Sequence, residues 1–198
     1  MTLPLGIVTL WLFHRYVKRP AAALLPQAIA GRMQPYLGEF RFRGRVVLIV
    51  ASLLLGIATH LAWDSFTHNS TWLYRNLDLL HQPVHVFFLG YVQLYKALQH
   101  ASTLVGLGVL SVYLGFWYFR TAPQAGSRPA LRLGQKTILI GVIAVIALVG
   151  GIARAVVPGG LPAGLHDSRF IGLLAVTSIA LVWWQLVAVG WWFARNGA

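Results

Sequence analysis

Val46–His68 reads VVLIVASLLLGIATHLAWDSFTH, and the interpretation of this stretch decides the fold. From Val46 to Trp63 it carries no Asp, Glu, Lys or Arg. A helix rises about 1.5 Å per residue, so roughly 17 to 25 such residues cross a hydrocarbon core of about 30 Å. At the polar end, His60, Asp64 and His68 recur every fourth residue. On a helix these positions share one face, with neighbouring Cβ atoms about 5 to 6 Å apart. Ser65 and Thr67 flank the stripe. Polar groups in an apolar segment cost free energy to dehydrate unless they are paired or bound, which marks this stripe as the first candidate site.

The rest of the chain has the same character. It is 58% hydrophobic and 10% charged over 198 residues, with a mean hydropathy of +0.68, a balance that fits a bilayer and not a soluble domain. Uncharged or nearly uncharged runs at 46–63, 101–119, 137–154 and 169–194 predict spanning helices. Residues 1–16 predict a short first span. The expected fold is an all-α, polytopic transmembrane helix bundle, one integral-membrane domain over residues 1–198 with about five spans. The first span lacks the basic start and the cleavage site of a secretory signal, and its apolar part ends at Phe13. The expectation is a chain that begins partway through a longer segment.

The net charge of +12 does not point to nucleic acid, because of where it lies. With helix ends assigned alternately to two sides, one side receives Arg15, Lys18, Arg19, Arg32, Arg41, Arg43, Arg45, Arg120, Arg128, Arg132, Lys136 and Arg195. The other receives Arg75, Lys96, Arg154 and Arg169. This positive-inside bias predicts a cytoplasmic basic loop at 17–45, a cytoplasmic loop at 120–136, a cytoplasmic C-terminus and an outer N-terminus. His60, Asp64 and the 64–100 connection then face outward. The chain has no cysteine, which excludes disulfides, iron–sulfur clusters and thiolate zinc sites.

Between these spans the sequence predicts specific devices. Ala21–Ala30 is too short and too interrupted by proline to cross, and reads either as an interfacial segment drawn to anionic lipid or as a solvated basic loop. Arg41, Arg43 and Arg45 anchor the inner end of the second span. Trp63, Phe66, Trp72 and Tyr74 fit an outer aromatic belt, and Trp183, Trp184, Trp191 and Trp192 an inner one. Pro83 to Arg120 would make a helix of about 57 Å, longer than the membrane, so a bend is expected near Gly90. Ser102 with Gly106 and Ser111 with Gly115 have the spacing of close helix contacts. Pro158–Pro162 predicts a tight outer loop, and His166 with Asp167 a polar cap for the last span.

The candidate chemistry is that of imidazole and carboxylate. A divalent metal, zinc foremost, suits His60, Asp64, His68 and His100 as ligands, with His81 or His85 as alternatives for the third donor. Metal-bound water has its pKa lowered to about 7, which would supply hydroxide for hydrolysis. Asp64 is the candidate catalytic residue, as ligand or as general base. The plainer alternative is a hydrogen-bonded pair in a non-catalytic scaffold or transporter component. A third is bis-histidine haem binding by His60 and His100.

The run Leu53–His68, with YKALQHASTLVG at 95–106, Leu10–Arg15, Arg19-Pro20 and Leu24-Leu25-Pro26, resembles a bacterial family of multi-pass membrane proteins that carry domain of unknown function 4184. The resemblance covers most of the chain and implies a bacterial inner-membrane location. His60-x-x-x-Asp64 is also similar to an element of predicted membrane-bound metal-dependent hydrolases and of zinc-dependent phospholipase C. In the phospholipase that element supplies metal ligands. This more distant likeness implies ligand roles for His60 and Asp64, and a lipid or other phosphoester as substrate beside the lipid bilayer. Further His and Pro-Asp motifs near the N-terminus of those proteins have no counterpart here.

Overall fold

The computed structural model describes residues 2–40, 42, 44–87, 90–124, 131–157 and 168–196. It divides into two compact units, residues 1–7 with 41–122 and residues 8–40 with 123–198. Among the described residues, four helices are long and apolar enough to cross a membrane. They are α4 (Val46–Thr67), α6 (Leu94–Arg120), α7 (Leu133–Val156) and α8 (Ser168–Asn196). Each begins or ends beyond the uncharged run that announced it, because polar residues such as Asp64 and Lys96 continue the helical backbone. Among the described residues the fold is helical with one small hairpin. Val47 is 81% exposed and Leu104 72% exposed. Such apolar faces, uncovered by protein, are what lipid tails satisfy.

In the first unit, the start of α1 (Thr2–Leu12) sets Gly6 against Leu53 of α4. The α4 helix stops at His68, whose backbone is extended, and a short helix α5 (Trp72–Asn76) follows. Thr71 joins the two. Its Oγ1 accepts from the Tyr74 N–H at 3.3 Å and lies 2.8 Å from the Ser65 carbonyl and 2.9 Å from that of His68. A 3₁₀ turn (Asp78–His81) leads into strands β1 (Pro83–Val86) and β2 (Gly90–Gln93). The strands pair antiparallel, with His85 opposite Tyr91 and Val84 opposite Val92.

This hairpin corrects the expectation of a bent helix from Pro83. The β-branched and aromatic residues Val84, Val86, Tyr91 and Val92 favour strands. Gly90 has a positive φ of 69°, a conformation that costs glycine little. The helix therefore begins only at Leu94.

In the second unit, α1 continues without interruption through a π-helical turn (Phe13–Val17) into α2 (Lys18–Leu24). Pro20 has no N–H to give the Tyr16 carbonyl, and the widened turn lies just before it, where it relieves the clash a proline makes inside a helix. Leu25, extended before Pro26, ends α2. α3 (Gln27–Met33) and a 3₁₀ turn (Gln34–Tyr36) follow. The part of the 17–45 segment in this unit is thus helical over 18–24 and 27–36, and the helix that opens the chain is not one of the four long apolar ones among the described residues.

α7 and α8 form the body of this unit. α7 buries Ile143, Ala147, Gly151 and Ala155, a stripe of every fourth residue. Ser178 donates to the Ala147 carbonyl at 3.0 Å and Gln185 to that of Ile143 at 3.3 Å. A Cβ at Gly151 would meet Leu174 and Ser178. The contacts descend along α7 as they ascend along α8, so the helices run antiparallel. Small residues therefore let helices close at Gly150 and Gly151, whereas Gly106 and Gly115 face open space. Trp183 stacks on Phe13 with centroids 6.4 Å apart, while Trp184, Trp191 and Trp192 stay exposed as interface anchors would. The expectations for Arg41, Arg43, Arg128, Pro158–Pro162, His166 and Asp167 fall outside the described residues.

Candidate functional site

The last two turns of α4 bring the stripe together as helical spacing requires. His60 Nε2 lies 3.4 Å from Asp64 Oδ2, and His68 Nδ1 lies 3.7 Å from Asp64 Oδ1. One carboxylate thus faces two imidazoles through separate oxygens. The side chains are 73% exposed at His60, 51% at His68 and 32% at Asp64. Exposed pairs at this spacing are worth only about 0.3 to 0.5 kcal/mol, too little to explain three ionisable groups at the end of an apolar helix by stability.

The neighbouring hydroxyls serve the backbone. Thr59 donates to the Leu55 carbonyl at 2.9 Å, Ser65 to that of Leu61 at 2.8 Å and Thr67 to that of Trp63 at 3.2 Å. Their protons are engaged within the helix, so none is set up as an activated nucleophile. Thr67 Oγ1 also approaches His68 Nδ1 at 3.4 Å, which steadies the ring on the side facing Asp64.

The other histidines of this unit have separate surroundings. His81 Nε2 lies 2.6 Å from the Tyr74 carbonyl, and since a carbonyl only accepts, that nitrogen carries the proton. Its ring lies 4.2 Å from the Tyr74 ring, which in turn meets Tyr95 at 4.9 Å. His81 is therefore part of a small aromatic core. His85 packs on Tyr91 across the hairpin at 5.1 Å. His100 is exposed on α6 and joins neither group. The link from His81 to Tyr74 had no signal in the sequence beyond the presence of both residues.

A catalytic zinc takes three protein ligands at about 2.0 to 2.2 Å from one centre. Among the described residues no group of three or more His, Asp or Glu is placed to hold an ion. In the stripe the carboxylate stands between the rings, and the ring nitrogens turned to it approach different oxygens. This arrangement does not fit a three-ligand centre. Both rings stand at ion-pair distance from the one carboxylate.

The second unit holds two groups of another kind. His14 stacks on Phe40 with centroids 3.8 Å apart, and its Nδ1 is buried without a hydrogen-bond partner among the described residues. Lys18 is buried and donates to the Gly38 carbonyl. Burial, with the nearby Arg19 guanidinium adding to it, pulls the Lys18 ammonium below the ordinary lysine range.

The model of one protein family matches residues 1–191, nearly the whole chain. The chain belongs to the DUF4184 family. The description of that family is a domain of unknown function, so membership assigns no reaction. No curated protein and no solved structure matches this DUF4184 chain.

Proposed function

We propose that this DUF4184 chain is a multi-pass membrane protein whose Asp64-oriented imidazole pair works as an acid–base site on a lipid or other membrane-associated phosphoester. The observation that carries the reading is the approach of His60 and His68 to separate oxygens of one carboxylate. Each ring uses one nitrogen toward Asp64 and keeps the other to take or give a proton. One imidazole removes a proton from water as its oxygen bonds to phosphorus; the other, protonated, gives its proton to the leaving oxygen as that bond breaks. The phosphoester substrate is suggested by the likeness of His60-x-x-x-Asp64 to a phospholipase element. The arginine distribution and that likeness together favour an inner-membrane location, with this site outside and the C-terminus in the cytoplasm.

The exposure of both rings favours a second reading, a non-catalytic membrane component in which the stripe is a polar contact. Full-length protein in phosphatidylcholine and phosphatidylglycerol vesicles, assayed for release of water-soluble phosphoester, separates the two. Under the first reading Asp64→Asn, His60→Gln and His68→Gln each lower turnover about 100-fold or more. Folded wild-type protein without turnover supports the scaffold, and a Soret band in the purified protein would favour haem instead.

A further inference from the structure

The second unit forms an open-mouthed cavity of about 600 Å³ that the acid–base reading does not use. Its size falls in the range of small-molecule sites, about 300 to 1,000 Å³. The helical segment after Phe13 folds over the start of α7 and the end of α8 to form it. Arg15, Arg19 and Lys136 line it together with Gln27 and Gln34. No carboxylate does, and Glu39 is the one acidic residue of this unit among those described.

Three cations around one hollow repel one another, and like charges four apart along a helical stretch, as Arg15 and Arg19 are, destabilise it further. The arrangement is relieved by an anion. Lys136 gives one proton to the Leu25 carbonyl at 2.6 Å, which holds the cover down, and has others to give. The Arg15 guanidinium lies 5.6 Å from the centre of the Tyr16 ring. Arg19 donates no hydrogen bond among the described residues, so its planar fork is open to the paired contacts that phosphate oxygens accept. Leu131 and Phe193 add apolar wall beside the charged one, which suits a ligand with carbon next to its phosphate. Arg15, Arg19 and Lys136 belong to the arginine-rich ends of their segments, the side that the charge bias assigns to the cytoplasm.

We propose that this cavity binds a phosphate-bearing anion, held by Arg15, Arg19 and Lys136. Phosphate has two sources here, the headgroup of an anionic phospholipid and the soluble ion, and the test distinguishes them. The proposal concerns residues remote in sequence from the His60 stripe and stands or falls without it.

Full-length protein in phosphatidylcholine nanodiscs is titrated with inorganic phosphate, and in parallel transferred to nanodiscs that also contain phosphatidylglycerol, with bound lipid counted by native mass spectrometry. The variants are Arg15→Gln with Arg19→Gln, the conservative Arg15→Lys with Arg19→Lys, and Arg154→Gln, which removes a charge away from the cavity. Retention of phosphatidylglycerol without competition by phosphate supports a lipid headgroup; saturable binding of phosphate alone supports a soluble ligand. In either case the glutamine pair loses about tenfold or more in affinity, the lysine pair loses less and Arg154→Gln binds as wild type does. Wild-type protein that binds neither probe overturns the proposal, as does an equal loss in Arg154→Gln.

Discussion

Gly190 of α8 lies against the backbone carbonyl of Tyr16, so closely that a Cβ at position 190 would overlap it. Pro20 bears on this carbonyl. In a regular helix the N–H at position 20 would occupy it, and proline has none. The oxygen faces the α-carbon of glycine, a contact of the weak Cα–H···O kind.

Gly190→Ala must push α8 away from the π-helical turn. We expect a loss of about 1 to 3 kcal/mol, the usual cost of overpacking, measured as a lower midpoint of thermal unfolding in detergent. Gly106→Ala, at a position facing open space, should leave the midpoint unchanged or raise it slightly through better helix propensity.

Thr71→Ala removes the cap of α5 and the tie to the Ser65 and His68 carbonyls. Loss of such a cap costs about 1 kcal/mol. The effect should be local, visible as faster hydrogen exchange at Tyr74 and Arg75 while α7 and α8 keep their protection.

Lys18 predicts a pH dependence. Burial lowers its pKa in the folded protein below the ordinary value of 10.5, so between the lowered value and 10.5 the unfolded chain binds more protons than the folded one. Stability therefore rises with pH across that window, is fullest above 10.5 and is lost as pH falls through the folded value. Lys18→Met should flatten this alkaline slope in thermal melts taken from neutral pH upward.

The four long helices were legible because an uncharged run is a sufficient signal for a lipid-spanning helix. Their ends were not, since Asp64, Ser65, Lys96 and Gln99 are polar yet still helical, and charge marks the water boundary, not the backbone boundary. The hairpin was available in the β-branched run around Gly90, but an unbroken apolar pattern after Pro83 outweighed it. The stripe at His60, Asp64 and His68 followed from a period of four that runs along the end of α4 to its extended cap residue His68. What joins Tyr16 to Gly190, or Arg15 to Lys136, depends on contacts between distant segments, and no local pattern carries them. The small-residue spacing at Ser102 and Ser111 meets no neighbour at Gly106 or Gly115 among the described residues, because spacing gives the possibility of a close crossing and not its partner.

The central claim is that Asp64 holds two imidazoles at once, and the ring-nitrogen shifts of ¹⁵N-histidine-labelled protein test it most directly, at a pH where the rings are neutral. In the proposed site the carboxylate would draw the proton of His60 to Nε2 and that of His68 to Nδ1, so the account predicts opposite tautomers for these two residues, with the His68 preference weakened in Asp64→Asn, where Thr67 Oγ1 still accepts. The same tautomer for both rings, unchanged by Asp64→Asn, would contradict it.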